Sequence, residues 1–320
     1  MRLKHFGPVW GASGVQGFFG EGYWYQRLFA RLIPGYSFDG STFVAKTVTA
    51  HPTIGNMPLA ADGLSPKEKR PACIKVGLWQ ILWGVMLNSV GLSNIGIGAL
   101  ADKYHWQTIM EPFMISVMAI GKTREERETE IRKIAMHLAK LIPTLHAPIA
   151  IQLNASCPNT KHKIAQDAFV EEVFVFLSLL AALDVPILVK INILADIEDI
   201  KRITGHPACS GIVISNTLPW AEVPTWMKWL FFGSTTSPLA HLGGGGLSGW
   251  PLLSPVCRWI KDARKAGIKT HINAGGGIFG PIGVWRVRNA GADSISLGTI
   301  AAVRPWMLGL TIWSARKLFR

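Results

Sequence analysis

Two neighbouring stretches decide the fold: Thr270-His271-Ile272-Asn273-Ala274-Gly275-Gly276-Gly277 and, after a longer segment of helical period, Ser294-Ile295-Ser296-Leu297-Gly298-Thr299. Each is a short apolar run of strand type that ends in glycine. Strand, helical segment, strand is the pattern of a β-α unit in a parallel sheet. Read outward from there, the same alternation runs through the chain. It predicts strands at 8–12, 42–46, 112–117, 148–154, 186–191, 211–215, 270–274 and 294–298. Eight strands of this kind close an α/β fold of the (β/α)8 TIM barrel class, in one domain spanning 1–320.

The intervening helices leave clear marks. Thr123 and Glu126 make a capping box, and Ile131, Ile134, Leu138 and Leu141 recur at helical spacing before Pro143 ends the run. Further helices are expected over 165–183 and over 255–266, the latter stopped by Gly267. Residues 48–111, between the second and third strands, are rich in Pro, Gly and Asn and are read as long active-site loops. No internal repeat or low-complexity tract interrupts the pattern.

The chain has 320 residues, 49% hydrophobic, with 33 Lys and Arg against 20 Asp and Glu, a formal charge of +13. That length and apolar content bury a large core, and the charge favours anionic partners. Cys73, Cys157, Cys209 and Cys257 are scattered without metal or cluster spacing, so reduced cytosolic thiols and no metal are expected. Arg2 and Lys4 are not followed by a signal-peptide core, and no run is long and apolar enough to span a bilayer. Among the 13 tryptophans, Trp220, Trp226 and Trp229 cluster with Phe231 and Phe232. The stretch 219–232 is read as an aromatic loop over the barrel mouth or at a subunit interface, with membrane contact as the other reading. Residues 306–320 fit either a final barrel helix or a basic amphipathic helix.

Functional groups of such barrels gather where strands end at the C-terminal face. There the sequence places Lys46, Asn154, Lys190 and Asn216. A lysine ending an apolar strand is poorly tolerated in burial unless an anion meets it. Gly275-Gly276-Gly277 and Gly298-Thr299 offer bare backbone N–H groups and a hydroxyl where the last two loops of many barrels hold a phosphate, although tight turns also favour glycine. Cys157, in Asn154-Ala155-Ser156-Cys157-Pro158-Asn159, is a candidate general base, since a free thiol titrates near pH 8.5. A lone cysteine elsewhere is more often a small buried residue.

These motifs, with Ala12-Ser13-Gly14, Lys46-Thr47, Gly55-Asn56, Asn88 to Asn94, Asn216-Thr217 and Gly245 to Gly249, stand in an order that resembles the dihydroorotate dehydrogenase family over nearly the whole chain. The resemblance implies an FMN-dependent enzyme that oxidises dihydroorotate to orotate in pyrimidine biosynthesis. It implies that Ala12, Ser13, Gly14, Lys46, Thr47, Asn154, Lys190, Gly249, Gly276, Gly277, Gly298 and Thr299 surround FMN, with Lys190 beside the flavin N1 and the glycines at the phosphate. Lys46, Asn88, Gly91, Leu92, Asn154, Asn159, Asn216 and Thr217 would hold the substrate. Cys157 falls where the soluble class keeps its base, and Lys46, Lys190 and Cys157 are the catalytic candidates. Within the family the electron acceptor is fumarate, a quinone or a partner iron–sulfur flavoprotein, and a homodimer is the habit; a cytoplasmic location is expected here, with membrane association as the alternative. Three departures stand out. Met57 and Pro58 follow Gly55-Asn56 where the family usually has Pro-Arg, Ala274 replaces a frequent glycine, and 219–232 is longer than in the soluble members.

Two other flavin barrels compete. The charge would suit a tRNA-dihydrouridine synthase, but those enzymes usually read Asn-x-Gly-Cys-Pro and carry an additional helical domain, so no nucleic acid is expected. A dihydropyrimidine-type reductase stays open. A non-catalytic barrel acting at a membrane surface is the reading from another class.

Overall fold

The computed structural model describes residues 2–155 and 166–319. Twelve strands are present among them: β1 (Val9–Gly11), β2 (Phe43–Val44), β3 (Ile74–Lys75), β4 (Val85–Asn88), β5 (Phe113–Val117), β6 (Ile149–Asn154), β7 (Ile187–Ile191), β8 (Cys209–Ile214), β9 (Leu218–Pro219), β10 (Gly246–Gly249), β11 (His271–Gly275) and β12 (Ser294–Leu297). Eight form a parallel sheet in the order β1-β12-β11-β8-β7-β6-β5-β2. Its ends meet: Trp10 bridges to Thr42 in parallel, Gly11 N donates to the Thr42 carbonyl at 2.8 Å, and Thr42 N donates back to Val9 at 2.8 Å. The sheet is therefore a nearly closed (β/α)8 barrel whose eight strands fall within the stretches predicted from the sequence or a residue or two beyond them.

Among the described residues eleven α-helices accompany the strands: α1 (Trp24–Leu32), α2 (Leu78–Trp83), α3 (Ile97–Ala101), α4 (Arg124–Leu141), α5 (Gln166–Ala181), α6 (Ile197–Thr204), α7 (Thr225–Phe232), α8 (Leu253–Lys265), α9 (Pro281–Ala290), α10 (Ile300–Val303) and α11 (Leu308–Leu318). Thr123 Oγ1 accepts from Glu126 N at 3.2 Å, and the expected stripe of Ile131, Ile134, Leu138 and Leu141 is buried. Gly267, at φ +91°, takes the left-handed turn after α8. The last helix, α11, packs on α9, so the chain end is the final barrel helix.

Strand alternation explains the site that follows. Side chains along a strand point alternately inward and outward. Trp10, Val44, Met114, Ala150, Leu188 and Val213 form an interior cluster with Phe6, separate from the larger core between sheet and helices. Two residues further along the same strands, the inward positions are Lys46, Ser116, Gln152, Lys190 and Ser215. The apolar plug thus gives way to a polar layer at the C-terminal mouth.

Two expectations need correction. Residues 48–111 are not loops alone, because they supply β3, α2, β4 and α3. β3 and β4 join β10 and β9 in a four-stranded antiparallel sheet, order β3-β4-β10-β9. Likewise 219–232 is not an aromatic loop. After a 3-10 turn it becomes α7, fixed to α2 by Trp79 Nε1 donating to the Leu230 carbonyl at 2.8 Å and Gln80 Nε2 donating to that of Phe231 at 2.7 Å.

Candidate active site

A cavity of about 470 Å³ opens above the polar layer. The barrel strand ends make its floor, and Ile74, Met86, Asn88 and Ser248 of the second sheet contribute its roof. Lys46, Asn154 and Lys190, singled out at strand ends, all line it. So do Ala12, Ser13, Gly14, Thr47, Asn88, Gly91, Leu92, Asn216, Thr217, Gly276, Gly277, Gly298 and Thr299.

Lys46 is buried, and its ammonium donates to the Ser93 carbonyl and lies 4.7 Å from the Phe18 ring centre. It makes no ion pair with a described carboxylate. Loss of hydration lowers its pKa from 10.5 to about 8, against the opposing pull of Cys73 and Glu21. An anion entering the cavity would find a cation already desolvated.

Beside it, a chain of hydroxyls fixes the first barrel turn. Ser13 Oγ donates to the Ala45 carbonyl at 2.9 Å and lies 3.0 Å from Thr47 Oγ1, which lies 2.9 Å from Ser116 Oγ. Tyr23 closes the turn from outside by donating its hydroxyl to the Gly14 carbonyl at 2.8 Å, and burial raises the pKa of that phenol. On the adjoining strand ends a Cβ at Gly298 would stand 2.9 Å from the Ala12 Cβ, and one at Gly277 (φ +72°) would stand 2.7 Å from the Gly249 carbonyl. Glycine is required there by crowding. Gly249 itself does not reach the cavity wall; it packs against Gly84, whose carbonyl oxygen would be 2.1 Å from an added Cβ.

The amides converge from three sides. Asn216 Nδ2 donates to Asn154 Oδ1 at 3.2 Å, and Asn216 Oδ1 accepts from Thr217 N at 3.0 Å. Asn88 ends β4, and the loop beyond it is shored by Asn56, which donates to the Ser89 carbonyl at 2.8 Å, and by Asn94, which donates to that of Leu92 at 2.6 Å. Where the family pattern has its Pro-Arg pair, buried Met57 stands at the cavity wall. Ala274 is wholly buried on β11. Gln152 Oε1, Ser215 Oγ and Thr217 Oγ1 are buried with no hydrogen-bond partner among the described residues. Such groups mark where a ligand would supply the missing bonds. Gln152 and Ser215 were not singled out from the sequence, although each sits two residues before a chosen one on an inward-facing run. Cys157 and Asn159 lie outside the described residues.

The sequence profile of the family described as dihydroorotate dehydrogenase matches residues 4–308. The chain belongs to this family. It is 28% identical over 310 residues to "Dihydroorotate dehydrogenase B (NAD(+)), catalytic subunit" of Endomicrobium trichonymphae, covering 95% of this chain and 85% of that protein. It is also 28% identical over 306 residues to "Dihydroorotate dehydrogenase A (fumarate)" of Lactiplantibacillus plantarum, covering 93% and 85%. Among solved structures, the Eimeria tenella dihydroorotate dehydrogenase bound to ferulenol superposes with a TM-score of 0.66 at 19% identity, covering 96% of this chain and 80% of that one, a likeness of fold. As a dihydroorotate dehydrogenase family member the protein is an FMN-dependent oxidoreductase acting on a CH–CH bond. The cavity fits that cofactor. Glycine-walled backbone, unpartnered buried oxygens and two lysine side chains suit a phosphate, a polar ring edge and its negative charge.

Proposed function

We propose that this chain oxidises dihydroorotate to orotate in pyrimidine biosynthesis, on a single barrel domain. The observation that carries the reading is the convergence of Lys46 with Asn88, Asn154, Asn216 and Thr217 on the cavity that the flavin-suited wall also lines. Each amide donates and accepts, which suits a ring imide beside a carboxylate, and Lys46 offers the countercharge. FMN, when bound, supplies the two-electron acceptor for the hydride leaving C6 of the substrate. Ala12, Ser13, Gly14, Thr47 and Lys190 would hold its ring, with Asn154 at the junction with substrate. Gly276, Gly277, Gly298 and Thr299 would hold its phosphate. Gly249 acts through packing behind Gly277. Cys157, three residues past Asn154 in sequence, takes the C5 proton, and Asn159 completes the substrate amides.

The test is anaerobic mixing of the FMN-loaded protein with dihydroorotate, followed at the flavin absorbance band, with Cys157→Ala alongside. Rapid bleaching that slows by about 10²-fold or more in the variant is expected, the range that one positioned general base supplies. A bound flavin that dihydroorotate never bleaches overturns the substrate. Equal bleaching by both proteins overturns the base. Fumarate, a soluble quinone and NAD+ offered in turn to the bleached protein then identify the acceptor class.

A further inference from the structure

We propose that the face built by α2 and α7, away from the cavity, docks on a bilayer of anionic phospholipid. On α2, Leu78, Trp79 and Leu82 are exposed to 75%, 51% and 60%. On α7, Trp226 and Trp229 stand three residues apart, on one side of the helix, and are exposed to 57% and 58%. The two helices form one surface, through the Trp79 and Gln80 bonds to α7 and the packing of Trp83 against Phe231 at 5.9 Å. Arg304 extends it. Its guanidinium donates to the Ile81 and Leu82 carbonyls that end α2, and it lies 5.5 Å from the ring of exposed Trp306. Soluble proteins rarely leave this many large apolar side chains together without a partner.

Charge selects the occupant. The stretches that carry the face, 69–101 and 223–261, and the 294–320 stretch that holds Arg304 contain no Asp or Glu, so the formal side-chain charge on them is positive, with Glu68 and Glu222 at their borders. Lys75 precedes α2, Lys228 lies within α7, and Arg304 stands at the C-terminal end of α2. A second copy of the same face would bring like charges together, which opposes a symmetric contact. An anionic lipid surface satisfies both features. Tryptophans settle at the depth of the headgroups, and lysines and arginines meet the surface potential. No described helix is long and apolar enough to cross a membrane, so the attachment is to the surface.

Flotation of the FMN-loaded protein with vesicles tests this, using phosphatidylcholine alone or mixed with phosphatidylglycerol. Binding to the mixed vesicles at least about tenfold stronger than to the neutral ones is expected, weakening with salt. Trp226→Ser with Trp229→Ser should lower it by about tenfold or more on both kinds, with flavin content and the unfolding midpoint unchanged. Lys228→Glu, which leaves the tryptophans in place, should lower it on the anionic vesicles alone. Absence of binding to the mixed vesicles, or binding that ignores both variants, overturns the proposal. Sedimentation showing a dimer that the double tryptophan variant splits into monomers overturns it as well, and assigns the face to a subunit contact.

Discussion

Lys46 shows how one residue joins sequence, burial and chemistry. Its pKa near 8 leaves it charged below that pH and neutral above it, because burial removes water from the ammonium and no described carboxylate pairs with it. An anionic substrate binds the charged form. The Michaelis constant for dihydroorotate should therefore stay level below pH 8 and rise by nearly tenfold per pH unit well above it, since one proton is linked to binding. A steady-state pH series on the wild type and on Lys46→Met reads this. A flat profile in the wild type removes Lys46 from anion binding. At this scale the sequence was informative where a polar residue interrupts an apolar strand, as Lys46, Asn154 and Lys190 do. It was silent on Tyr23, whose hydroxyl reaches back to Gly14 from the residue that caps α1. That contact depends on the path of the intervening turn, which no local pattern encodes.

At the scale of elements, the eight barrel strands were legible because each is a short run built around apolar residues and nearly all of it is buried. The roof strands were not. β3 and β9 are two residues each, and β4 finds its partner β10 some 160 positions away in the chain, as in the pairing of Leu87 with Leu247. Strands of two to four residues are too short for a periodicity to stand out in the sequence. One helix contact is also beyond sequence reasoning: the Arg127 guanidinium on α4 grips Glu172 on α5 with both nitrogens Nε and Nη2, and the carboxylate is 1% exposed. Removing one partner strands a buried charge. Arg127→Ala, which leaves the Glu172 carboxylate buried without its partner, should destabilise the protein by about 3–5 kcal/mol in urea unfolding. The double variant Arg127→Met, Glu172→Leu should recover much of that loss, since well-packed apolar pairs often replace buried ion pairs. A loss under about 1 kcal/mol in the single variant would mean that solvent reaches the pair.

For the molecule as a whole, the barrel interior is divided into an apolar plug below and a chemical layer above. Trp10 anchors the plug, with its indole N–H shared between the Gly7 and Phe6 carbonyls at 2.9 and 3.1 Å and its ring stacked 5.5 Å from that of His271. Trp10→Ala would empty a site enclosed by strands on every side, with little freedom to collapse. A loss of about 3–5 kcal/mol is expected from the unfolding midpoint. Weakened flavin retention should accompany it, because β1 leads directly into the Ala12 to Gly14 turn. Unchanged stability would mean that the surrounding strands close over the gap.

The seam of that barrel has a bearing on the protein's birth. Ala12 belongs to the first strand's turn and Gly298 to the last strand's, yet the two are so close that glycine alone fits between them. Everything between Ala12 and Gly298 therefore has to leave the ribosome before the cavity has both its walls. A nascent chain that stops short of Gly298 has no finished berth for the flavin, so the cofactor follows the closing of the barrel seam rather than the first strands.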